Sequence, residues 1–244
     1  MYDFAFRGRW LVGHVVVAAL AGLFILAGFW QLDRLHQVRA QNDLIRARRQ
    51  LPVVSLGELI EPTASSAGQA EQRRVEVSGR YDSRHEAIVF HSLNGQTGFD
   101  VLAPLVLDDA TAVIVDRGWI PGEPTLDVVP SNAAPPPGNV RVTGLAQSGV
   151  PGGSITSGSL GAVRLNRIDL DLLQRQVPYD LFPVYVRLQT QSPAQASGSP
   201  KPVPPPPLDN GPHLSYAIQW FSFTAIGLIG WPLLLRRSVR ERAT

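Results

Sequence analysis

The chain has 244 residues, a net charge of +2 and no cysteine. Without cysteine it forms no disulfide and no covalent haem attachment of the C-x-x-C-H type. The only methionine is the first residue, so the soft sulfur ligands of copper(I) sites are missing. No basic stretch with interleaved aromatic residues indicates nucleic acid binding.

The first predicted element is an apolar helix from Leu11 to Trp30, interrupted only by His14. At about 1.5 Å per residue it matches the ~30 Å hydrocarbon core of a bilayer. Basic residues before it and an Ala-Leu-Ala triplet inside it also suit a signal peptide. A retained anchor is favoured, because the apolar run continues well past the triplet. Helix-forming polar residues then extend this helix to about Arg49, before Pro52.

The segment between the two apolar regions has the pattern of a β-rich domain. Alternating or apolar runs predict about seven strands, at 74–81, 87–91, 99–107, 112–120, 140–145, 163–165 and 184–189. One short amphipathic helix is predicted at 169–176. Short strands at this spacing, joined by long loops rich in Pro, Gly or Ser, favour a small barrel or sandwich. The run from Lys201 to Pro207 predicts a stiff polyproline spacer, although a proline-recognition motif has the same composition.

A second apolar segment begins at His213 and continues to Leu235. At about 100° per residue, one face of this helix carries His213, Tyr216, Ala217, Trp220, Thr224 and Gly227. This face combines an interfacial imidazole, large aromatic rings and small residues, as a flat hydrophobic ligand with a central metal requires. The alternative is an ordinary aromatic belt with a histidine at the membrane surface.

Two spans place both termini on one side of the membrane. Arginines are more frequent beside the spans on the terminal side, which favours cytoplasmic termini. The predicted order is a cytoplasmic N-terminus (1–10), a transmembrane helix (11–32), an extracytoplasmic β-rich domain (33–190), a Pro-rich linker (191–212), a second transmembrane helix (213–235) and a cytoplasmic basic tail (236–244). The fold class is therefore a multi-pass cell-membrane protein with two transmembrane helices flanking one β-rich, barrel- or sandwich-like domain.

The predicted domain lacks the usual signatures of an enzyme. It has no G-x-S-x-G motif, no cysteine nucleophile and no Gly-rich phosphate loop followed by Lys. His85 and His91 are too far apart along one strand to share a metal ion, so both are interpreted as surface residues. We therefore predict that the protein is not an enzyme.

Two local patterns suggest binding. On a regular strand, Arg117 and Trp119 point to one face, where the guanidinium could stack on the indole, while Gly118 permits a close backbone approach. This tripeptide is either structural packing or a partner-docking surface. At the exit of the first span, Trp30 and Arg34 lie four residues apart on one helix face. Arg34 could reach a lipid phosphate or pair with a ligand carboxylate at the same depth.

The order of several motifs resembles that of the Surfeit locus protein 1 family. The motifs are Gly28-Phe-Trp-Gln-Leu-Asp-Arg-Leu35, Gly79-Arg-Tyr81, Gly98-Phe-Asp-Val-Leu-Ala-Pro-Leu105, Val115-Asp-Arg-Gly-Trp-Ile-Pro121, Val140-Arg-Val-Thr-Gly144 and His213-Leu-Ser-Tyr-Ala-Ile-Gln-Trp-Phe221. They cover both apolar segments and most of the intervening domain.

The resemblance implies a function in the assembly of haem-a-containing cytochrome c oxidase. The expected ligand is transiently carried haem a, with His213 as the metal ligand and Tyr216, Trp220, Trp30 and Arg34 around it. The expected partners are oxidase subunit I, other oxidase assembly or haem a synthesis proteins, and membrane lipid. The alternative is a docking protein that stabilises the oxidase without touching a cofactor, and a membrane-anchored solute sensor is a third possibility.

Overall fold

The computed structural model describes residues 8–123, 129–157, 163–195 and 200–241, and only the main chain of Arg9. These residues form a helical unit, up to Leu44 and from Pro207 onward, and a sheet unit from Ile45 to Pro206. The predicted cytoplasmic ends lie partly outside the described residues, since 1–7 and 242–244 are not among them.

Two long helices make up most of the helical unit: α1 is Arg9–Gln50 and α4 is His213–Glu241. Both are long and apolar enough to cross a membrane, by length and composition. The prediction that apolar helices flank a β-sheet domain is therefore confirmed. Helix α1 ends two residues before Pro52, where the proline restricts the helical conformation of the residue before it. Helix α4 starts at the predicted residue and extends past Leu235.

The two helices pack antiparallel along a seam with heptad spacing. Ala21, Gly28, Leu35 and Asn42 lie seven residues apart in α1 and are all buried. Small or medium side chains at a seven-residue repeat are typical of closely packed, coiled-coil-like helix pairs. The close approach requires glycine at position 28, since a Cβ there would lie 2.7 Å from the ring of Phe221 on α4.

The sheet unit contains two further short helices, α2 Leu56–Leu59 and α3 Leu170–Gln174, and a sheet of nine strands. The strands are β1 Val54–Ser55, β2 Arg74–Tyr81, β3 Ala87–Phe90, β4 Gly98–Val106, β5 Thr111–Pro121, β6 Asn139–Gln147, β7 Ile155–Ser157, β8 Val163–Leu165 and β9 Asp180–Ser192. Strand β9 begins earlier than predicted and continues through residues 191–192, where the sequence predicted the linker.

Five of these strands close into a barrel in the order β2-β6-β9-β5-β4, because β4 also pairs with β2. The β5–β9 pair is parallel, and the other four barrel pairs are antiparallel. Strands β3, β8 and β7 extend the sheet beyond β4, and β1 pairs with β2. The predicted barrel-like arrangement is present as a closed mixed sheet with a side extension.

Side-chain alternation separates two of the three hydrophobic cores found among the described residues. Odd-numbered residues toward the end of β4 and the start of β5, such as Leu105 and Val113, point into the barrel together with Val75 of β2. Even-numbered residues of the same strands, such as Leu102 and Ile114, form a second core with α3 and β8. The two-residue period of a β-strand thus lets β4 and β5 serve both cores.

Candidate functional site

Polar contacts connect α1 with α4 and with the turn that precedes α4. Near one end of the pair, the Trp231 indole N–H donates to His14 Nδ1 over 2.7 Å. Farther along, His213 Nδ1 lies 2.9 Å from Gln31 Oε1. Beyond that, Asn42 Nδ2 donates to the carbonyl oxygen of Asp209 over 2.9 Å. Polar partners at fixed seam positions favour one register of the two helices.

The contact between His213 and Gln31 determines which ring nitrogen of His213 carries a proton. The amide oxygen Oε1 is an acceptor only, so Nδ1 donates to it and the neutral ring keeps a lone pair on Nε2. Among the described residues, none forms a hydrogen bond with Nε2. A ring in this state offers a nitrogen ligand to a metal.

His14, the other seam histidine, is in the opposite state. Its Nδ1 accepts a hydrogen bond from the Trp231 indole N–H, so a neutral ring carries its own proton on Nε2. The two histidines therefore differ in their ability to coordinate a metal, although both lie in the seam. His14 is a natural comparison for His213.

A tight turn places His213 at the start of α4. The Asp209 side chain accepts the N–H of Gly211 over 3.0 Å, and Gly211 has a φ of +68°, which favours glycine. Asn42 holds the same turn through the Asp209 carbonyl and the Asn210 side chain. The imidazole is thus fixed by α1 at two levels, through its own Nδ1 and through the turn before it.

The predicted ligand-binding residues have different surroundings in the structure. Tyr216 and Trp30 have large exposed fractions, 46% and 62%. Trp220 packs on Phe24 of α1, with ring centroids 5.4 Å apart. Arg34 donates to Gln37 Oε1 on its own helix over 3.0 Å.

The predicted ligand-binding face of α4 is partly covered. Ala217 and Thr224 are buried in the seam, so they pack the helices together. The room that Ala217 was expected to give a ligand is occupied by α1. Tyr216 is the exposed residue of this face, and His213, Trp220 and Gly227 are half-buried.

The tripeptide Arg117-Gly118-Trp119 differs from its prediction. A β-bulge places Arg117 and Gly118 opposite the single residue Val101 of β4, and Gly118 has a φ of +118°. The extra residue reverses the alternation, so Trp119 leaves the face occupied by Arg117. The predicted stack between these side chains is therefore wrong: the guanidinium lies over the Tyr81 ring, 5.3 Å from its centroid.

Arg117 is a buried ion-pair residue. Its Nη1 donates to Glu86 Oε1 and to the Ala133 carbonyl, over 3.0 and 2.8 Å, and its Nη2 donates to Gln195 Oε1. Burial raises the pKa of Glu86 to about 7, although the positive charge of Arg117 opposes the rise. Arg117 is fully buried, so its guanidinium does not face a partner. A partner-docking role of the tripeptide stays a prediction.

Gly118 is approached closely by another backbone, as predicted. Trp119 and Lys201 exchange two main-chain hydrogen bonds of 2.8 and 2.9 Å across the bulge. A side chain at Gly118 would collide with the main chain of Lys201. The beginning of the proline-rich run is therefore held against β5 instead of being a free spacer.

Buried carboxylates in the barrel wall were not predicted. His91 Nδ1 contacts Asp100 at 2.9 Å, and Arg187 Nε contacts Asp116 at 3.1 Å. Burial and the nearby charge of Asp100 raise the pKa of Asp116. His85 similarly contacts the buried Asp82 at 2.6 Å. His85 and His91 thus have buried acidic partners. No group of three or more potential metal ligands occurs among the described residues.

The sequence comparisons agree on one family. The sequence profile of the SURF1 family matches residues 18–225. Three similar relatives are uncharacterised SURF1-like proteins, one of Mycobacterium bovis and two of Mycobacterium tuberculosis strains. Each is 30% identical over 243 residues, which cover 98% of this chain and 88% of the relative.

The chain belongs to the SURF1 family. The resemblance to the Surfeit locus protein 1 family is thereby confirmed. The family match extends from α1 through the sheet unit into α4, so it includes both Gln31 and His213. SURF1 proteins are generally associated with oxidase assembly.

Gln31 and Asn42 are the seam residues that the sequence analysis missed. Both are polar and buried; Asn42 belongs to the seven-residue repeat of α1, and Gln31 lies three residues after Gly28 of that repeat. A heptad pattern continued from Ala21 would have placed them opposite the second helix. Their role depends on the packing of the two apolar segments against each other.

Proposed function

We propose that this SURF1-family protein carries haem a transiently during assembly of cytochrome c oxidase, with His213 as the axial ligand. The main support for this proposal is the contact of His213 Nδ1 with Gln31 Oε1, because it leaves the Nε2 lone pair for a metal. The donor set fits haem: one imidazole with a defined tautomer, next to exposed aromatic side chains.

The remaining predicted residues supply packing and charge around the ligand. Exposed rings at Tyr216 and Trp30 offer apolar surface to the macrocycle, and Trp220 supports the helix pair through Phe24. Arg34 is exposed one helical turn beyond Trp30, where its guanidinium suits a propionate carboxylate. Bound haem supplies an iron that accepts the imidazole nitrogen, and the protein only holds and releases the group.

The membrane arrangement completes the proposal. Helices α1 and α4 cross the cell membrane with cytoplasmic termini, and the sheet unit lies on the outer side. The protein acts as an assembly factor and not as an enzyme, and its partners are oxidase subunit I, other assembly or haem a synthesis proteins, and lipid. The arginine bias beside the spans supports this topology.

The test is complementation of a strain that lacks this protein. Wild type, His213→Ala and His14→Ala are expressed at equal membrane levels, and the haem a content and activity of the oxidase are measured. We expect His213→Ala to lower both, while His14→Ala keeps them near the wild-type values. A His213→Ala protein that restores the oxidase fully would contradict haem carriage and favour the docking alternative.

A further inference from the structure

The acceptor that faces His213 is a neutral amide in a place where a carboxylate would fit. Gln31 is 9% exposed and lies in the helix seam. The nearby carboxylates have other partners: Asp33 accepts from Gln37 over 2.8 Å, and Asp209 accepts from Gly211. The imidazole therefore has an uncharged acceptor although acidic side chains lie close in sequence to both residues.

The charge of this acceptor changes the ligand strength of the imidazole. Any acceptor on Nδ1–H fixes the tautomer and the ring orientation. A carboxylate also forms a charge-assisted hydrogen bond, which pulls the Nδ1 proton away and makes Nε2 a stronger donor to iron. An amide fixes the same geometry with a weaker pull. The iron–nitrogen bond is then easier to break.

The rest of the seam keeps the amide in place. Gly28, one helical turn before Gln31, lets the Phe221 ring approach closely. Asn42 holds the turn before His213 through two hydrogen bonds of 2.9 and 3.2 Å. Gln31 is therefore not a chance surface contact, because packing on both sides fixes the distance between α1 and His213.

We propose that Gln31 is the positioning residue of the haem site: it holds His213 with the proton on Nδ1, and its neutral oxygen keeps the bound group releasable. This inference rests on the proposed function. It assigns to Gln31 the balance between holding and releasing that a carrier requires.

The test compares two substitutions at Gln31 with the same two at Gln41, an exposed glutamine on the same helix. Gln31→Leu removes the acceptor, and Gln31→Glu replaces it with an isosteric carboxylate. The first readout needs no haem: ¹⁵N NMR of His213 in the full-length protein in lipid nanodiscs. Wild type and Gln31→Glu should show the proton on Nδ1, and Gln31→Leu should lose this preference.

The second readout is the rate at which haem passes from the loaded protein to excess apomyoglobin, together with the haem reduction potential. Loss of such a supporting contact typically weakens metal binding by about 10- to 100-fold, so Gln31→Leu should release haem faster by this factor. Gln31→Glu should release it more slowly and at a lower reduction potential. Both Gln41 variants should match wild type.

Failure of this inference is distinguishable from failure of the proposed function. If His213→Ala keeps its haem, the axial role of His213 in the proposed function is wrong, whereas the NMR readout still reports on the contact with Gln31. If His213→Ala loses haem but both Gln31 variants release it at the wild-type rate, only the role of Gln31 is overturned. An unchanged tautomer in Gln31→Leu would also overturn it.

Discussion

Replacement of Arg117 by methionine should strongly destabilise the sheet unit. Methionine keeps a long side chain with an apolar stem but lacks the guanidinium. The Arg117 side chain is 0% exposed and pairs with Glu86, itself 10% exposed. It also leaves the Ala133 carbonyl and the Gln195 amide oxygen without their donor. The perturbation is therefore an uncompensated buried carboxylate together with two orphaned acceptors.

The expected size of this effect follows from the burial of the pair. Removing one partner of a buried ion pair costs about 3–5 kcal/mol, because the remaining charge is desolvated without compensation. For a domain of this size, about 2–4 °C per kcal/mol gives a fall in melting temperature of roughly 6–20 °C. The loss should be largest near pH 8, where Glu86 is ionised, and smaller near pH 5.

The assay is thermal unfolding of the full-length protein in detergent, followed by circular dichroism of the β-sheet signal. The matched control is Arg141→Met, since Arg141 forms an exposed pair with Glu76 at 3.7 Å. Exposed pairs contribute little, so this control should unfold like wild type. The double variant Arg117→Met, Glu86→Gln should recover part of the loss. Equal, small changes in Arg117→Met and Arg141→Met would refute the structural role of Arg117.

Two further predictions concern pH and helix packing. The pKa of Glu86 is raised to about 7 from 4.5, and that of Asp116 is also raised, so the folded protein binds more protons than the unfolded chain in this range. The melting temperature should therefore fall as pH rises from about 5 to about 7. A melting temperature that rises across this window would contradict the raised pKa values. Gly28→Leu should push α1 away from Phe221 and lower the free energy of unfolding by about 1–3 kcal/mol, as measured by thermal unfolding of the helices. Gly22→Leu should be neutral, because a Cβ at Gly22 meets no atom within 4 Å. Equal effects of the two substitutions would refute the close contact.

Much of the fold was predictable because it depends on local patterns. The end of α1 before Pro52 follows from the restriction that proline places on the preceding residue. Helix α3 begins after Asp169, whose side chain caps it by accepting the N–H groups of Asp171 and Leu172. Strands with clear alternation were found within a few residues of their observed ends.

Other features depend on contacts between distant segments and were missed. Strand β1 has only two residues, too few to show a period, and the three residues of β7 lie in a Gly- and Ser-rich segment whose composition is typical of a loop. The bulge at Gly118 changes the face of Trp119, and an alternating pattern cannot reveal an inserted residue. The burial of Asp116 was also not predicted, since its partner Arg187 lies on β9, far away in the sequence.

The candidate site shows the same division. The sequence of α4 alone singled out His213 and its face, but it could not show that α1 covers Ala217 and Thr224. The partner of His213 was invisible for the same reason, since Gln31 lies 182 positions away. Pairing of the two apolar segments supplies the missing information.

The most direct test of haem carriage is the amount of haem a per mole of purified protein. Wild type, His213→Ala and His14→Ala are produced in cells that make haem a, and haem is quantified by Soret absorbance and pyridine haemochrome spectra. We predict that wild type and His14→Ala retain haem a, and that His213→Ala loses it while still inserting into the membrane. Equal haem content in wild type and His213→Ala would contradict the axial role of His213, and a colourless wild type that copurifies with oxidase subunits would support docking without a cofactor.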